Sequence, residues 1–211
     1  MKPTRKDIAT FWTQLEQTID QLLTSRSENE FDADFLLEDY RHRLHQIDRN
    51  LTFHFQTEGE GTEIEMVFGC DGFPESIQSV LSLVGEAPVL DGIRFKAFNQ
   101  RSNPIPNDVY VGDECCNIND YWYRLRLVEG RLLLEVYMKH LPKVLDLDPR
   151  VEGVMIFLDT LIGEYEVMTR ISQLDWFELP EMPEDYGLQL LRFVRDDFDQ
   201  YQVQPIGFTM H

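Results

Sequence analysis

Basic side chains are scarce in this chain, so their positions are informative. The sequence contains 19 Lys and Arg residues against 38 Asp and Glu residues, a formal net charge of -19. Arg94 and Lys96 alternate with apolar residues along one segment, and Arg124 and Arg126 alternate in the same way further along. Residues two apart on a strand share a face. If both segments joined one sheet, these four candidate binding residues would form a cationic strip that attracts an anionic ligand or an acidic peptide.

The same four cations also have a purely structural explanation. Acidic and basic side chains on neighbouring strands often pair, and Glu135, Glu164 and Glu166 lie in segments that could be such neighbours. Each exposed cross-strand pair stabilises a sheet by only ~0.2–1 kcal/mol. Both explanations require strands at these positions, and they differ in whether the cations are available to a ligand.

Three cysteines give a weak signal for thiol chemistry. Cys115 and Cys116 are adjacent, and a catalytic thiolate would need a nearby base, but neither His54 nor His140 lies at a diagnostic spacing. A redox switch between the adjacent pair is conceivable but strained. An odd cysteine count also makes a poor disulfide framework, which favours reduced thiols and a cytoplasmic location.

Metal and cofactor signals are weak for physical reasons. His42 and His45 share a predicted helix face, but three nearby arginines would repel a cation and no further ligand is evident. The glycines at positions 59 and 61 alternate with glutamates, which would repel a phosphate. No Gly-x-Ser-x-Gly nucleophile elbow occurs. The sequence therefore predicts no catalytic residues, no metal and no cofactor.

Net charge restricts the class of partner. Nucleic-acid and membrane-surface binding both draw affinity from Lys and Arg contacts to anionic groups, so a charge of -19 disfavours both. Residues 151–211 contain 12 acidic residues and 3 basic ones. Such a surface attracts a basic protein partner. The oligomeric state does not follow from the sequence.

Hydrophobic periodicity defines the elements that must position these side chains. Residues 4–24 and 32–47 show helical spacing of apolar residues and predict a helical hairpin. Residues 51–101 and 121–179 each predict two alternating strands, a helix and a third strand. In the second of these units the helix is predicted to begin at Asp148–Pro149 and to end at Gly163. The third strand is predicted at Tyr165–Ile171, from the alternation of its apolar side chains.

These elements predict the α+β fold class. The two ββαβ units, an internal pseudo-repeat, form antiparallel sheets covered by helices, with the helical hairpin before them. A last helix is predicted at about residues 183–201, with Leu188, Leu191, Val194 and Phe198 pointing inward. With 43% hydrophobic residues, the chain is expected to form a single compact domain over residues 1–211.

The segment between the units has two interpretations. Residues 99–119 predict a loop of roughly 20 residues, and loops of that length are often functional. It could cover a pocket lined by aromatic side chains, or the same side chains could be core. The candidates are Tyr110, Trp122, Tyr123 and Trp176.

Five stretches distributed over most of the chain are informative together. They are Phe11–Trp12, Ile47–Phe53, Ala87–Gly92, Phe95–Arg101 and Leu158–Val167. These stretches resemble an uncharacterised family of acidic bacterial proteins, a domain of unknown function. The resemblance implies a shared fold and a bacterial origin. It transfers no catalytic residue, because none of the stretches is a chemically specific motif.

Two functions follow as hypotheses. The first is a non-enzymatic, cytoplasmic protein-interaction module, immunity-like or inhibitory toward a cationic partner, whose encounter with that partner is accelerated by opposite charge. The alternative is a small-molecule-binding protein or enzyme with its pocket under the loop at residues 99–119. A filled interior with an acidic surface favours the first, and a concave, polar-lined pocket beneath the loop favours the second.

Overall fold

The chain consists of two compact units, residues 1–99 and 100–211. The structure is a computed structural model, and it describes residues 5–28, 30–57 and 64–201. The turn predicted at residues 58–61 lies outside this description. The prediction of a single domain stays a prediction.

The described residues of unit 1 form three α-helices and one three-stranded sheet. Its elements are α1 (Arg5–Glu28), α2 (Glu30–Ile47), β1 (Thr52–Thr57), β2 (Ile64–Gly69), α3 (Ile77–Gly85) and β3 (Ile93–Ala97). The central strand β2 is antiparallel to β1 and parallel to β3. The predicted helical hairpin and the first ββαβ unit are therefore confirmed.

Aromatic side chains join the helices of unit 1 to one face of its sheet. Phe11 and Trp12 of α1 make edge contacts with Phe68 of β2, at ring-centroid distances of 5.9 and 5.5 Å. The indole Nε1 of Trp12 donates to the carbonyl oxygen of Leu83 in α3 at 2.9 Å. The polar atom of a buried tryptophan is thus satisfied while its ring fills the core.

Residues 100–201 of unit 2 form a two-stranded hairpin, a four-stranded sheet and three α-helices. Its elements are β4 (Asp108–Val111), β5 (Glu114–Asn117), β6 (Trp122–Val128), β7 (Arg131–Met138), α4 (Pro149–Ile162), α5 (Glu164–Arg170), β8 (Ile171–Glu178), β9 (Gln189–Leu190) and α6 (Val194–Gln200). The larger sheet has the order β8-β7-β6-β9. Strand β7 is antiparallel to β6 and parallel to β8.

Both units repeat one topology, which confirms the α+β fold class with its two ββαβ units and its C-terminal helix. Each sheet is mixed rather than antiparallel throughout, because a helix returns the chain so that the third strand runs parallel to the second. The strands of the two units belong to different sheets. The single sheet that would have joined the four predicted cations does not form.

Helix α4 begins and ends where its sequence predicts. The Asp148 side chain accepts a hydrogen bond from the backbone N–H of Arg150 at the N-cap, and Pro149 occupies the first turn. Gly163 ends the helix with a φ of 97°, a conformation that side chains disfavour. Asp148 and Gly163 therefore fix the two ends of the helix that covers the larger sheet.

The strand predicted at Tyr165–Ile171 is wrong. These residues form the short helix α5, and the strand β8 begins only at Ile171. Glu164 and Glu166 lie in the first turn of α5 and Arg170 lies in its last, which suits the helix dipole. Arg170 also forms an ion pair with Glu166 at 3.1 Å, one helical turn away.

The predicted C-terminal helix is correct only in its second half. Residues 183–186 and 191–193 form single 3₁₀ turns around the short strand β9, and α6 begins at Val194. Gly187 has a φ of 69° and ends the first turn, which a continuous helix would not allow. The apolar residues predicted to point inward are nonetheless buried. They are Leu188, Leu191, Val194 and Phe198.

The long loop predicted at residues 99–119 is wrong as well, because it contains the hairpin of β4 and β5. Gly112 has a φ of 59° and is the first of two turn residues, as type II′ hairpin turns require. Val109 pairs with Cys116 across the hairpin, and both side chains face α4. A compact hairpin, rather than a structureless loop, therefore lies beside this helix.

Candidate functional site

The two predicted cations of unit 1 surround a buried carboxylate. Glu65 on the central strand β2 is 1% exposed, and its Oε1 lies 2.6 Å from Nζ of Lys96. Gln56 donates to Oε2 at 3.0 Å, and Arg94 lies opposite Glu65 in the strand register. Burial raises the pKa of Glu65, but hydrogen bonds from Lys96 and Gln56 and the charges of Lys96 and Arg94 lower it below its usual value.

The two predicted cations of unit 2 have a matching arrangement. Glu135 on the central strand β7 is 2% exposed, and its carboxylate lies 2.6 Å from Arg124 and 2.5 Å from Arg126. The hydroxyl of Tyr137 donates to the same carboxylate at 2.7 Å. Burial raises the pKa of Glu135, but the hydrogen bonds from Tyr137 and Arg124 outweigh it, so the pKa lies below its usual value.

This geometry favours the structural explanation of the predicted binding residues. In each sheet, a central-strand glutamate holds a basic side chain of the neighbouring strand at ion-pair distance. Glu135 is one of the partners that the sequence suggested, whereas Glu166 pairs with Arg170 instead. Sequence reasoning missed Glu65, although its position between Ile64 and Met66 marks the polar face of a strand. Ligand binding by these four cations stays a prediction.

The adjacent cysteines point to opposite faces of β5. Cys116 is 2% exposed, whereas Cys115 is exposed, as alternation along a strand requires. A disulfide between them would disrupt their register with Tyr110 and Val109 of β4. Both are free thiols, as is Cys70. The geometry gives no support to a redox pair.

Close packing against α4 fixes the buried cysteine. Gly153 lies so near that a Cβ added there would stand 2.7 Å from Sγ of Cys116. The thiol of Cys116 also lies 3.9 Å from the carbonyl oxygen of Pro149, to which it donates. Burial, followed by the neighbouring Cys116 thiol, raises the pKa of Tyr121 well above its usual range, so the hydroxyl stays protonated at neutral pH.

A cavity of about 240 Å³ opens beside the hairpin in unit 2. Its walls come from β5, from the segment that leads into β6, from the end of β7 and from the start of α4. The lining residues are Glu114, Cys115, Cys116, Asn119, Asp120, Tyr121, Trp122, Lys139, His140, Arg150 and Leu179. Most of these lining residues are charged or polar.

Arg150 holds the rim of this cavity. Its guanidinium donates two hydrogen bonds to Asp148, at 2.9 and 2.7 Å, and others to the carbonyl oxygens of Lys139 and His140, at 2.8 and 2.9 Å. The carboxylate of Glu178 accepts the backbone N–H of His140 at 2.8 Å from the other side. The rim is thus fixed by charge-assisted hydrogen bonds to the backbone.

Of the aromatic residues predicted to line the pocket, only Trp122 does so. Tyr110 is 71% exposed on the hairpin. Tyr123 is buried in the core, and Trp176 packs against that core from β8. The pocket was predicted to be aromatic, but charged and polar groups dominate its lining.

A second candidate surface is the segment between β8 and β9. Within it Glu181, Glu184 and Asp185 are exposed, and no described residue forms an ion pair with any of them. Met182 and Tyr186 are 60% and 63% exposed in the same segment. We call residues 181–186 the acidic segment. It combines negative charge with two large apolar side chains.

The arginines of unit 2 do little to neutralise this surface. Arg101, Arg150, Arg170 and Arg195 each donate at least one hydrogen bond to a backbone carbonyl oxygen within the unit. Arg195 alone donates to the carbonyl oxygens of residues 161, 102 and 160. These cations cross-link loops and helix ends, where carbonyl groups lack partners.

Comparisons with protein-family models, with curated proteins and with solved structures find no match. The resemblance to an acidic bacterial family therefore stays a prediction. In the described part of the chain, no helix is long and apolar enough to cross a membrane. Across the same residues, no three His, Cys, Asp or Glu side chains are grouped as metal ligands, and His42 lies beside Gln46 at 3.0 Å.

Proposed function

We propose that this protein is a non-enzymatic interaction module that binds a basic protein partner. We infer a basic partner because a net charge of -19 attracts positively charged proteins. The acidic segment is the proposed contact surface, because its carboxylates have no described ion pairs and its two exposed apolar side chains add contact area. An immunity-like or inhibitory role toward a cationic enzyme, in the cytoplasm, fits such a surface.

The arrangement of the arginines is the observation that best supports this proposal. Four arginines of unit 2 bind backbone carbonyl groups of the same unit, which holds their guanidinium groups away from the acidic segment. The exposed carboxylates of the acidic segment have no described cation within ion-pair distance. Opposed fields accelerate encounter and orient the partners, and salt weakens both effects.

Capture of a partner by charge variants tests the proposal. The immobilised protein is compared with E181Q/E184Q/D185N, and with the control E16Q/D71N/D91N, which removes three exposed carboxylates of unit 1. The two triple variants have equal net charge. We expect the wild type and the control to capture the same basic protein from a bacterial lysate, and the first variant to lose it. Equal capture by both variants, or an acidic captured protein, would contradict the proposal.

The cavity supports a second candidate, a small-molecule-binding function. It lies beside the hairpin of residues 108–117, and it is lined by 11 residues of unit 2, of which Glu114, Cys115, Cys116 and Asn119 belong to residues 99–119. Its rim is held by Arg150 and Glu178, so the pocket is preformed. A thermal-shift screen of metabolites tests this candidate, since a ligand of the folded state raises the melting temperature.

A further inference from the structure

We propose that the cavity of unit 2 binds a small zwitterion of amino-acid type, with a carboxylate, an ammonium group and an apolar side chain. The proposal rests on the second candidate function and names its class of ligand. It is independent of the acidic segment. Three features support it: the size of the cavity, charged groups of both signs on its walls, and an indole ring.

The size of the cavity suits a small ligand. Its 240 Å³ is a little below the volumes of about 300–1,000 Å³ that are usual for pockets of drug-sized ligands. A single amino acid is therefore of a suitable size.

The cation of the site is Lys139. Arg150 also lines the cavity, but its guanidinium is bound by Asp148 and by two backbone carbonyls. Lys139 is exposed, and among the described residues its ammonium group has neither an ion pair nor a side-chain hydrogen bond. It is thus available to a carboxylate, as a charge-assisted partner.

The anions of the site are Glu114 and Asp120. Both line the cavity, both are exposed, and neither has an ion pair within 4.0 Å in the described part of the chain. A simple anion in the cavity would be attracted by Lys139 but repelled by these two carboxylates. A simple cation would be attracted by the two carboxylates but repelled by Lys139. A zwitterion satisfies both signs at once, because like-charge contacts are unfavourable and opposite-charge contacts are favourable.

The apolar contact of the site is Trp122. Its side chain is half-buried, and Leu179 contributes a second apolar group to the lining. An indole face suits an aromatic or aliphatic side chain and disfavours a strongly hydrated one. The predicted ligands are therefore amino acids with apolar or aromatic side chains.

Calorimetric titration of the full chain with each standard amino acid tests this assignment. We expect at least one amino acid with an apolar or aromatic side chain to bind. Two analogues of that amino acid serve as comparisons: the amine without the carboxylate, and the acid without the amino group. We expect each analogue to bind at least about tenfold more weakly than the amino acid.

Lys139→Gln and Asp120→Asn should each weaken binding of the amino acid by a similar factor. The matched controls Lys143→Gln and Asp113→Asn, which change exposed residues outside the cavity lining, should leave it unchanged.

Other outcomes overturn the proposal in distinguishable ways. One such outcome is that acetate or inorganic phosphate binds as tightly as the amino acids, with an affinity that Lys139→Gln lowers. This result would contradict a zwitterionic ligand but would still support a small-molecule-binding function. If the amino acid binds but neither Lys139→Gln nor Asp120→Asn changes its affinity, the ligand binds outside this cavity. If neither the amino acids nor a metabolite panel binds, both the assignment and the second candidate function are wrong.

Discussion

A buried glutamate on the central strand of each sheet holds the neighbouring basic side chains. Glu65 in unit 1 and Glu135 in unit 2 are both almost fully buried, and both have ion pairs with side chains of the adjacent strand. A buried carboxylate is costly unless it is paired, so these basic residues compensate for its desolvation. The sequence showed the cations and suggested Glu135 as a partner, but the strand register was needed to assign the pairs.

Replacing Glu135 tests this compensation. Glu135→Gln keeps the shape of the side chain and removes its charge, which leaves Arg124 and Arg126 without their carboxylate. Because both guanidinium groups are partly exposed to solvent, we expect a loss of only about 1–2 kcal/mol in the free energy of unfolding, measured with urea at neutral pH. Glu181→Gln is the control, and it should change stability by less than about 0.5 kcal/mol.

The pH dependence of the unfolding free energy shows whether the charged form of Glu135 stabilises the fold. The pKa of Glu135 is lower in the folded chain than its ordinary value of 4.5, so the carboxylate stabilises the fold above that pH. As the pH falls through the folded-state pKa, the carboxylate takes up a proton and this contribution is lost. The difference between wild type and Glu135→Gln should therefore shrink in acid. A difference that is constant from neutral to acidic pH would contradict the compensation.

At the scale of elements, capped and strongly periodic segments were predictable and short ones were not. Helix α4 has an Asp148–Pro149 start and a glycine end, and both boundaries were predicted correctly. The alternation of Tyr165, Val167 and Thr169 looked like a strand, but Gly163 allows a new helix to begin there. Acidic residues at the start of this segment and a basic residue at its end favour a helix. The alternation of apolar residues, which favours a strand, did not decide the structure.

The lining of the cavity could not be predicted from the sequence. A pocket under a loop at residues 99–119 was one of two hypotheses, but that segment contains the β4–β5 hairpin, on which the lining depends. Four-residue strands contain too few alternations for a secure prediction, although Gly112 marked the turn. The contributions of Lys139 and Arg150 come from other elements that only the fold brings to the hairpin.

The packing of the hairpin on α4 can be tested at Gly153. Gly153→Ala would place a Cβ 2.7 Å from Sγ and 2.9 Å from Cβ of Cys116, so the strand or the helix must move. We expect unfolding free energy to fall by about 1–3 kcal/mol.

The matched control for this change is Gly85→Ala. Gly85 lies in α3, and nothing stands within 4 Å of the position that its Cβ would take. We expect this control to be neutral or stabilising by up to about 1 kcal/mol. If both variants have the same stability in chemical unfolding, the hairpin does not depend on close approach to α4.

At the scale of the whole molecule, net charge is the property that the sequence determined most fully. The composition alone requires an excess of 19 negative charges, and it disfavours nucleic acid and anionic membranes as partners. What the sequence could not show is that several arginines bind backbone carbonyls. This arrangement leaves the carboxylates of the acidic segment without described counter-charges.

We propose that the carboxylates of the acidic segment attract a basic partner. The association rate constant of the captured partner, measured at increasing salt for wild type and for E181Q/E184Q/D185N, tests this attraction. For wild type we expect the rate constant to fall steeply as the Debye length shortens from ≈ 10 Å at 0.1 M to ≈ 3 Å at 1 M ionic strength. For the variant we expect a lower rate constant with a weaker salt dependence. A rate constant that neither salt nor the three substitutions change would show that these carboxylates do not attract the partner.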